Sequence, residues 1–346
     1  MFFASDNGGP AHPKVIEAVV KANEGYTRAY GAEALAAEVQ TRIRDLFDAP
    51  EAAVYLVATG TACNALILAT LCPPWGTVYC TPEAHIEVDE CNAPEFFTGG
   101  AKLTLVESRG SRMLPDALAA TLDASGVHGV HGAQPGPVSI TSLTERGAVY
   151  GLDEIRAIAA IARDHGLDLH LDGARFGNAC AALGCTAAEM TTRAGVTAVS
   201  FGGTKGGCLG VEAAVILDPA KAWEFELRRK RAGHLFSKHR YLSAQMAAYL
   251  EDDLWLDLAA KANAKGLALA EGMASAGYAP LVPPAANMVY VPIPTELHRK
   301  LEAAGAVYYV EMGNPDRDPT VTIRLVCDWS VPDDEIGRFL DLVRAG

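Results

Sequence analysis

Leu167-Asp168-Leu169-His170-Leu171-Asp172-Gly173-Ala174-Arg175 alternates apolar and polar residues and then stops at a glycine, the pattern of a strand that ends on Asp172. In open α/β sheets the carboxyl ends of strands face the ligand crevice. Further along, Val199-Ser200-Phe201-Gly202-Gly203-Thr204-Lys205-Gly206-Gly207 is a second strand, running into a turn in which four glycines surround one lysine. So little side-chain bulk suits a lysine beneath a flat ligand, because the backbone must come close and the amine must be partly desolvated to act as a nucleophile. Each segment alone also has a plainer reading: a tight turn with a solvated lysine, and an aspartate that caps a helix.

Tyr55-Leu56-Val57-Ala58-Thr59-Gly60-Thr61-Ala62-Cys63-Asn64 joins a strand to a helix start through a small turn. Free backbone N–H groups at such a turn make an anion site fit for a phosphate. Phosphate turn, then aspartate, then lysine on successive strand ends makes one coherent ligand site. Around these segments short apolar runs alternate with helical stretches: Val54 to Val57 then Ala62 to Leu71, Lys102 to Val106 then Pro115 to Leu122, and Leu167 to Leu171, Ala198 to Phe201 and Ala213 to Leu217. This alternation predicts a mostly parallel sheet covered by helices.

Helical spacing also runs from His12 to Lys21 and from Glu33 to Phe47, separated by the tyrosine- and glycine-bearing loop Gly25 to Gly31. After Pro219 the pattern changes to long helices, Ala220 to Arg231 and Tyr241 to Ala276. Apolar runs at Met288 to Val291, Ala306 to Val310 and Thr320 to Val326 follow, with a closing helix from Pro332. The division predicted is residues 1–240, an N-terminal segment with a large ligand-binding domain, and 241–346, a connecting helix with a small C-terminal α/β domain.

The 346 residues are half hydrophobic and 21% charged, enough for one large core and a smaller one and more in keeping with an enzyme than a binding module. A net charge of −13 opposes approach to nucleic acid or an acidic membrane surface. The eight cysteines stand singly without the paired spacing of a structural zinc site, so no metal is expected and the thiols read as reduced, in a cytoplasmic protein. Met1 to Pro10 lacks the basic start and apolar core of an export signal, and no run approaches the roughly 18 apolar residues of a membrane span.

Thr59-Gly60-Thr61, His170-Leu171-Asp172-Gly173-Ala174-Arg175 and Ser200-Phe201-Gly202-Gly203-Thr204-Lys205 resemble the signature segments of the low-specificity L-threonine aldolases. These belong to the β-eliminating-lyase group of fold type I enzymes that use pyridoxal 5′-phosphate (PLP). The likeness spans nearly the whole chain, taking in Ser5-Asp6-Asn7, Ala29-Tyr30-Gly31-Ala32, Ala84-His85-Ile86, Pro94 to Lys102, Arg229 to His234 and Thr322 to Val326. It implies an aspartate-aminotransferase-like large domain with a mostly parallel seven-stranded sheet and a smaller C-terminal α/β domain. It also implies a homotetramer, a dimer of dimers with the active site at the dimer interface, acting on a small amino acid.

The resemblance further implies that Lys205 holds PLP as a Schiff base while Asp172 keeps the ring nitrogen protonated. An adjacent opposite charge moves a pKa by about 1 to 3 units, roughly 1.4 to 4 kcal/mol, which makes the ring a strong electron sink. His85 is implied to stack on the ring and to help remove the substrate's β-hydroxyl proton. Gly60 and Thr61 are implied to bind the phosphate, with Arg231 and Lys238 adding charge, partly from a neighbouring subunit, and Thr204 to be a cofactor contact. Arg175 and Arg324 are the implied clamps for the substrate carboxylate, helped by Ser5, with Tyr30 reaching toward the substrate; Arg175 counts also among the cofactor contacts.

Many relatives carry a second histidine in the loop after the strand near residue 130. Here that stretch reads His131-Gly132-Ala133-Gln134-Pro135-Gly136-Pro137, with His128 and His131 expected on the strand itself. Gly206-Gly207 also stands where relatives often have asparagine then glycine. The expected reaction is reversible cleavage of L-threonine, L-allo-threonine and related L-β-hydroxy-α-amino acids to glycine and an aldehyde. The alternatives are β-elimination or transamination on the same scaffold, or a silent oligomeric protein that keeps the fold for partner binding.

Overall fold

The computed structural model describes residues 1–345. In chain order its strands are β1 (Ala53–Val57), β2 (Gly76–Cys80), β3 (Lys102–Leu105), the hairpin pair β4 (Ser108–Arg109) and β5 (Arg112–Met113), β6 (Gln134–Thr141), β7 (Leu169–Gly173), β8 (Ala198–Gly202), β9 (Glu212–Ile216), β10 (Met288–Pro294), β11 (Tyr309–Met312) and β12 (Thr320–Val326). Seven of them form one sheet in the order β1-β9-β8-β7-β6-β2-β3. Six of the seven point the same way, and β9 lies antiparallel to both of its neighbours, β8 and β1. The mostly parallel seven-stranded sheet expected above is therefore present. Every residue of β1, β7, β8 and β9 is buried, as in a sheet with helices on both faces.

Register places the chemistry. Asp172 pairs with Thr141 on one side and Ser200 on the other, while Glu212 pairs with Gly202 and Val57. The carboxyl ends of β1, β6, β7 and β8 and the start of β9 thus share one edge, and the loops that leave them converge there.

Three features differ from the sequence expectation. The long helix expected from Tyr241 to Ala276 is two helices, Arg240–Leu250 and Leu254–Ser275, broken where Asp252 (φ 50°) and Asp253 (φ 54°) turn left-handed. Strand β6 begins at Gln134, so His128 and His131 lie ahead of it in an exposed short turn rather than on it. Strand β2 and the helix Leu152–Asp164 were not anticipated, and the strand expected near residue 130 begins later, so that 134–137, read as loop, are part of it. Pro135 and Pro137 made this start of β6 read as loop, since proline removes a ladder donor. Between them Gly136 lets two strands come together, for a Cβ there would stand 2.4 Å from Thr77 O on β2.

Beneath the lysine turn lies an aromatic cluster. Phe201 on β8 meets Phe47, Phe176, Trp255 and Tyr249 at ring-centre distances of 5.6, 5.6, 5.8 and 6.1 Å, and it is fully buried. Phe201→Ala should cost about 3 to 5 kcal/mol through lost contact and the cavity left behind. Urea unfolding checks this: a midpoint equal to that of the unmodified chain would show that the cluster does not anchor the turn.

The smaller sheet, β10-β12-β11, is antiparallel and packs its own core, which includes Leu269, Met273, Val289, Ile323 and Phe339. The start of the chain joins that core. Phe3 donates its N–H to Val307 O (2.8 Å), accepts from Val326 N (2.8 Å), and packs edge-on against Phe339.

Candidate active site

A cavity of about 400 Å³ opens at the shared strand edge and is lined by Gly60, Thr61, Asn64, His85, Asp172, Arg175, Thr204 and Lys205. One end is the start of the helix Gly60–Leu71. Its first helical amides are engaged by Thr59, Ala62 N to Oγ1 at 3.2 Å and Cys63 N to the carbonyl at 3.1 Å, which leaves the amides of Gly60 and Thr61 ahead of the ladder. A Cβ on Gly60 would meet no protein atom within 4 Å. An anion is stabilised at such an end by both the free N–H groups and the helix dipole.

Asp172 is buried and held from two sides: Oδ1 accepts from Ala174 N (3.0 Å) and Oδ2 from Asn64 Nδ2 (2.7 Å). Asn64 also donates to Glu90 Oε1 (2.9 Å), and its carbonyl accepts from Ser200 Oγ (2.7 Å). Ser200 contacts Nε2 of His170, whose Nδ1 meets Ser139 Oγ, both at 3.0 Å. Burial drives that histidine's pKa down to about 4, so it is neutral and serves as a polar bridge. Such a network fixes the carboxylate's direction.

His85 opens the short helix His85–Val88. Its Nδ1 meets Glu90 Oε1 at 2.8 Å, and its Nε2 lies 3.5 Å from Asp89 Oδ2. The hydrogen bond from Glu90 raises the imidazole's pKa against the opposing effect of burial. Burial, with the charge of Asp172 adding to it, also lifts Glu90.

Lys205 makes no hydrogen bond or ion pair among the described residues. The neighbouring Arg175 guanidinium, then burial, lowers its pKa, which enlarges the fraction present as free amine. Its turn admits little else: a Cβ on Gly206 would lie 1.9 Å from the Tyr249 hydroxyl. Glu212 receives Gly203 N at 2.9 Å, and burial pushes its pKa up to about 7. Thr204 Oγ1 accepts from Val211 N (3.2 Å).

Arg175 is clamped by Asp6 through two charge-assisted bonds, Nε to Oδ2 at 2.6 Å and Nη2 to Oδ1 at 2.9 Å. Burial alone would raise Asp6, but the guanidinium holds its carboxyl below the usual range. Asn287 adds a third bond to Asp6 at 3.2 Å.

The chain therefore gathers Lys205, Asp172, His85, Gly60, Thr61, Thr204 and Arg175 around one cavity. Ser5 is taken up in capping Asn7 N (3.1 Å), which sets Asn7 rather than Ser5 on the cavity wall. Arg324 stands on β12, ion-paired with Glu311 at 3.1 Å and bonded to Ala4 O at 3.2 Å; its strand partner is Tyr290. Tyr30 and Lys238 line a separate groove in which Lys230 lies 5.0 Å from the Tyr30 ring, and Arg231 ends a helix in solvent. Within one chain these last three do not reach the cavity. The residues that sequence reasoning passed over are Asp6, Glu90, Glu145 and Glu212. Only Asp6 and Glu90 carried a nearby signal, beside Ser5 and just after His85.

The β-eliminating lyase family model matches residues 3–295. The low specificity L-threonine aldolases of Pseudomonas sp. (strain NCIMB 10558) and Pseudomonas aeruginosa are each 38% identical, over 99% of this chain and 97% and 96% of theirs. The structure of a Leishmania major threonine aldolase superposes with a TM-score of 0.93 at 26% identity, covering 99% of this chain and 98% of that one.

Proposed function

The chain belongs to the β-eliminating lyase family, and on that premise we propose that it is a PLP-dependent aldolase that cleaves L-threonine, L-allo-threonine and related L-β-hydroxy-α-amino acids to glycine and an aldehyde. The observation that carries this is the convergence of an unpaired, nearly buried lysine, a network-held aspartate and a free helix start on one cavity. The donor set fits PLP. The Gly60 and Thr61 amides would suit its anionic group, the Asp172 carboxylate its ring nitrogen, the Lys205 amine its aldehyde and the His85 ring its flat heterocycle. When bound, PLP supplies a carbonyl to which amines attach and a ring that accepts the electron pair of a bond broken at Cα.

The chain's own groups do the rest. Lys205, its pKa lowered by Arg175 and by burial, would hold the cofactor through its amine. Asp172 keeps a negative charge aimed along the bonds from Asn64 and Ala174. Arg175, locked by Asp6, and Arg324 offer guanidinium groups to the substrate carboxylate, which fixes the bond to be broken relative to the ring. Arg324→Ala should weaken substrate binding by about 2 to 5 kcal/mol if the carboxylate is desolvated there. The check is KM for L-threonine; unchanged kinetics remove Arg324 from the site.

A second copy of this chain completes the phosphate end. Exposed Tyr30, Arg231 and Lys238, with the exposed apolar side chains of Tyr26, Phe96 and Leu227, support a homotetramer built from close dimers, which light scattering tests. No helix among the described residues is long and apolar enough to cross a membrane. Eight free cysteines agree with a cytoplasmic setting.

The test of function is a visible spectrum of the purified protein with and without borohydride, with aldehyde release from L-threonine assayed in parallel. A band fixed by borohydride and acetaldehyde release support the aldolase. A band with pyruvate or ammonia instead turns the reading to elimination, and consumption of 2-oxoglutarate to transamination.

A further inference from the structure

We propose that Glu145, in the loop after β6, is the catalytic base that takes the proton of the substrate's β-hydroxyl. The proposal deepens the aldolase reading and rests on it. Glu145 lines the same cavity as His85, Asp172 and Lys205. Its Oε1 accepts from Thr141 Oγ1 (2.7 Å) and from the backbone N of His85 (2.9 Å). Its Oε2 is sealed from solvent and has no hydrogen-bond partner. The terminal torsion of a glutamate is soft, so a small rotation brings the unpartnered oxygen to a substrate hydroxyl. The residue also links two parts of the site: its carboxylate accepts from His85 N, while its backbone carbonyl accepts from the Tyr290 hydroxyl (2.5 Å), whose strand partner is Arg324 on the smaller sheet.

The other candidates are engaged. Both ring nitrogens of His85 face carboxylates, which favours the protonated ring, a donor with no lone pair to offer. Asp172 spends its two oxygens on Ala174 and Asn64. Glu90 sits behind His85 as its partner, and Glu212 is bound to the lysine turn through Gly203 N. Asp89 is largely exposed, at 80% of its side chain, so it is not shielded from bulk water. Burial pushes the Glu145 pKa up to about 7, where a base is strong enough to take a proton and still half ionised in neutral solution.

The step balances as follows. The β-hydroxyl O–H breaks and its proton passes to Glu145, the O–H electron pair becomes the second bond of the aldehyde carbonyl, and the Cα–Cβ pair withdraws onto Cα, where the bound cofactor's electron sink receives it. Glu145 then returns the proton to Cα at the position that Cβ vacated, so threonine's atoms are all recovered in glycine and acetaldehyde.

The groups that face Glu145 are His85, Asp172 on β7, Cys80 on β2, Tyr150, and Tyr290 on β10. Burial moves Cys80 up to about 12 and raises both tyrosines, so among these the thiol and phenols stay protonated near neutrality. Glu145 must be ionised to act, so kcat/KM should fall as pH drops through about 7. Glu145→Gln should lower kcat about 100-fold, abolish that acid limb, and leave glycine affinity, read by spectral titration, within about threefold.

The cofactor-free protein gives a second readout. Its Glu145 keeps a proton up to about pH 7 when folded, against an ordinary value of 4.5, so ionisation opposes folding progressively between the two values. Glu145→Gln should therefore raise the melting temperature more at pH 8 than at pH 5.

Should the amide variant fold poorly, Glu145→Asp keeps the carboxyl, and the limb must persist at a shifted pH. An active parent whose Glu145→Gln variant cleaves L-threonine within about threefold, or keeps the acid limb, overturns this proposal alone. A parent that releases no aldehyde from any β-hydroxy-α-amino acid overturns the aldolase reading and the proposal with it.

Discussion

Lys205→Ala is expected to abolish turnover, with L-threonine cleavage falling by about 10⁴-fold or more, as when a covalent nucleophile is removed from a preorganised site. The expectation follows from the lysine's surroundings. Its amine has no protein partner among the described residues, its pKa is lowered by Arg175 and burial, and the glycines around it leave room for nothing else to take its place. The variant should fold, because the packing that holds the turn comes from Phe201 and Tyr249 rather than from the lysine. Two measurements check it: aldehyde release, and mass spectrometry of the borohydride-treated protein. A variant that turns over normally, or that still acquires the mass of one cofactor, defeats the assignment of Lys205 and with it the reading of the site.

Asp172→Asn should reduce kcat by about 10- to 10³-fold, corresponding to the 1 to 3 pKa units that a close carboxylate lends a ring nitrogen. The side chain is almost isosteric, so shape is kept. What is lost is a negative charge, and Asn64, which now donates to Oδ2, faces an amide that offers one acceptor in place of two. Cofactor content, measured by absorbance after dialysis, should fall less than kcat does. A rate within about fivefold of the unmodified enzyme would mean that Asp172 is a structural cap and not the ring's counter-charge.

Much of this site was legible because strands end where glycines begin. Alternation up to Asp172 and the glycine turn around Lys205 are local patterns, and local patterns survive in one dimension. The carboxylates that tune the site are not local. Asp6 meets Arg175 across 169 positions, and Glu90 meets Asn64 across 26; no spacing rule connects them. Glu145 was hidden for a different reason. Its loop follows β6, whose two prolines disguised where the strand runs, so nothing marked the loop as a strand end at the cavity edge. The break between Leu250 and Leu254 was equally silent, because two aspartates adopt the left-handed turn usually announced by glycine.

The first six residues have a further consequence at the ribosome. They are made long before their partners, since Phe3 bonds to Val307 and Val326, and Asp6 to Arg175 and Asn287. Long-range pairings of this kind form late in folding. This segment must therefore wait, unpaired, until β12 has been made, and the wall it contributes behind Arg175 closes only after that strand has left the exit tunnel. A nascent chain stalled before residue 320 should therefore lack the Phe3–Val326 pairing that seats this segment.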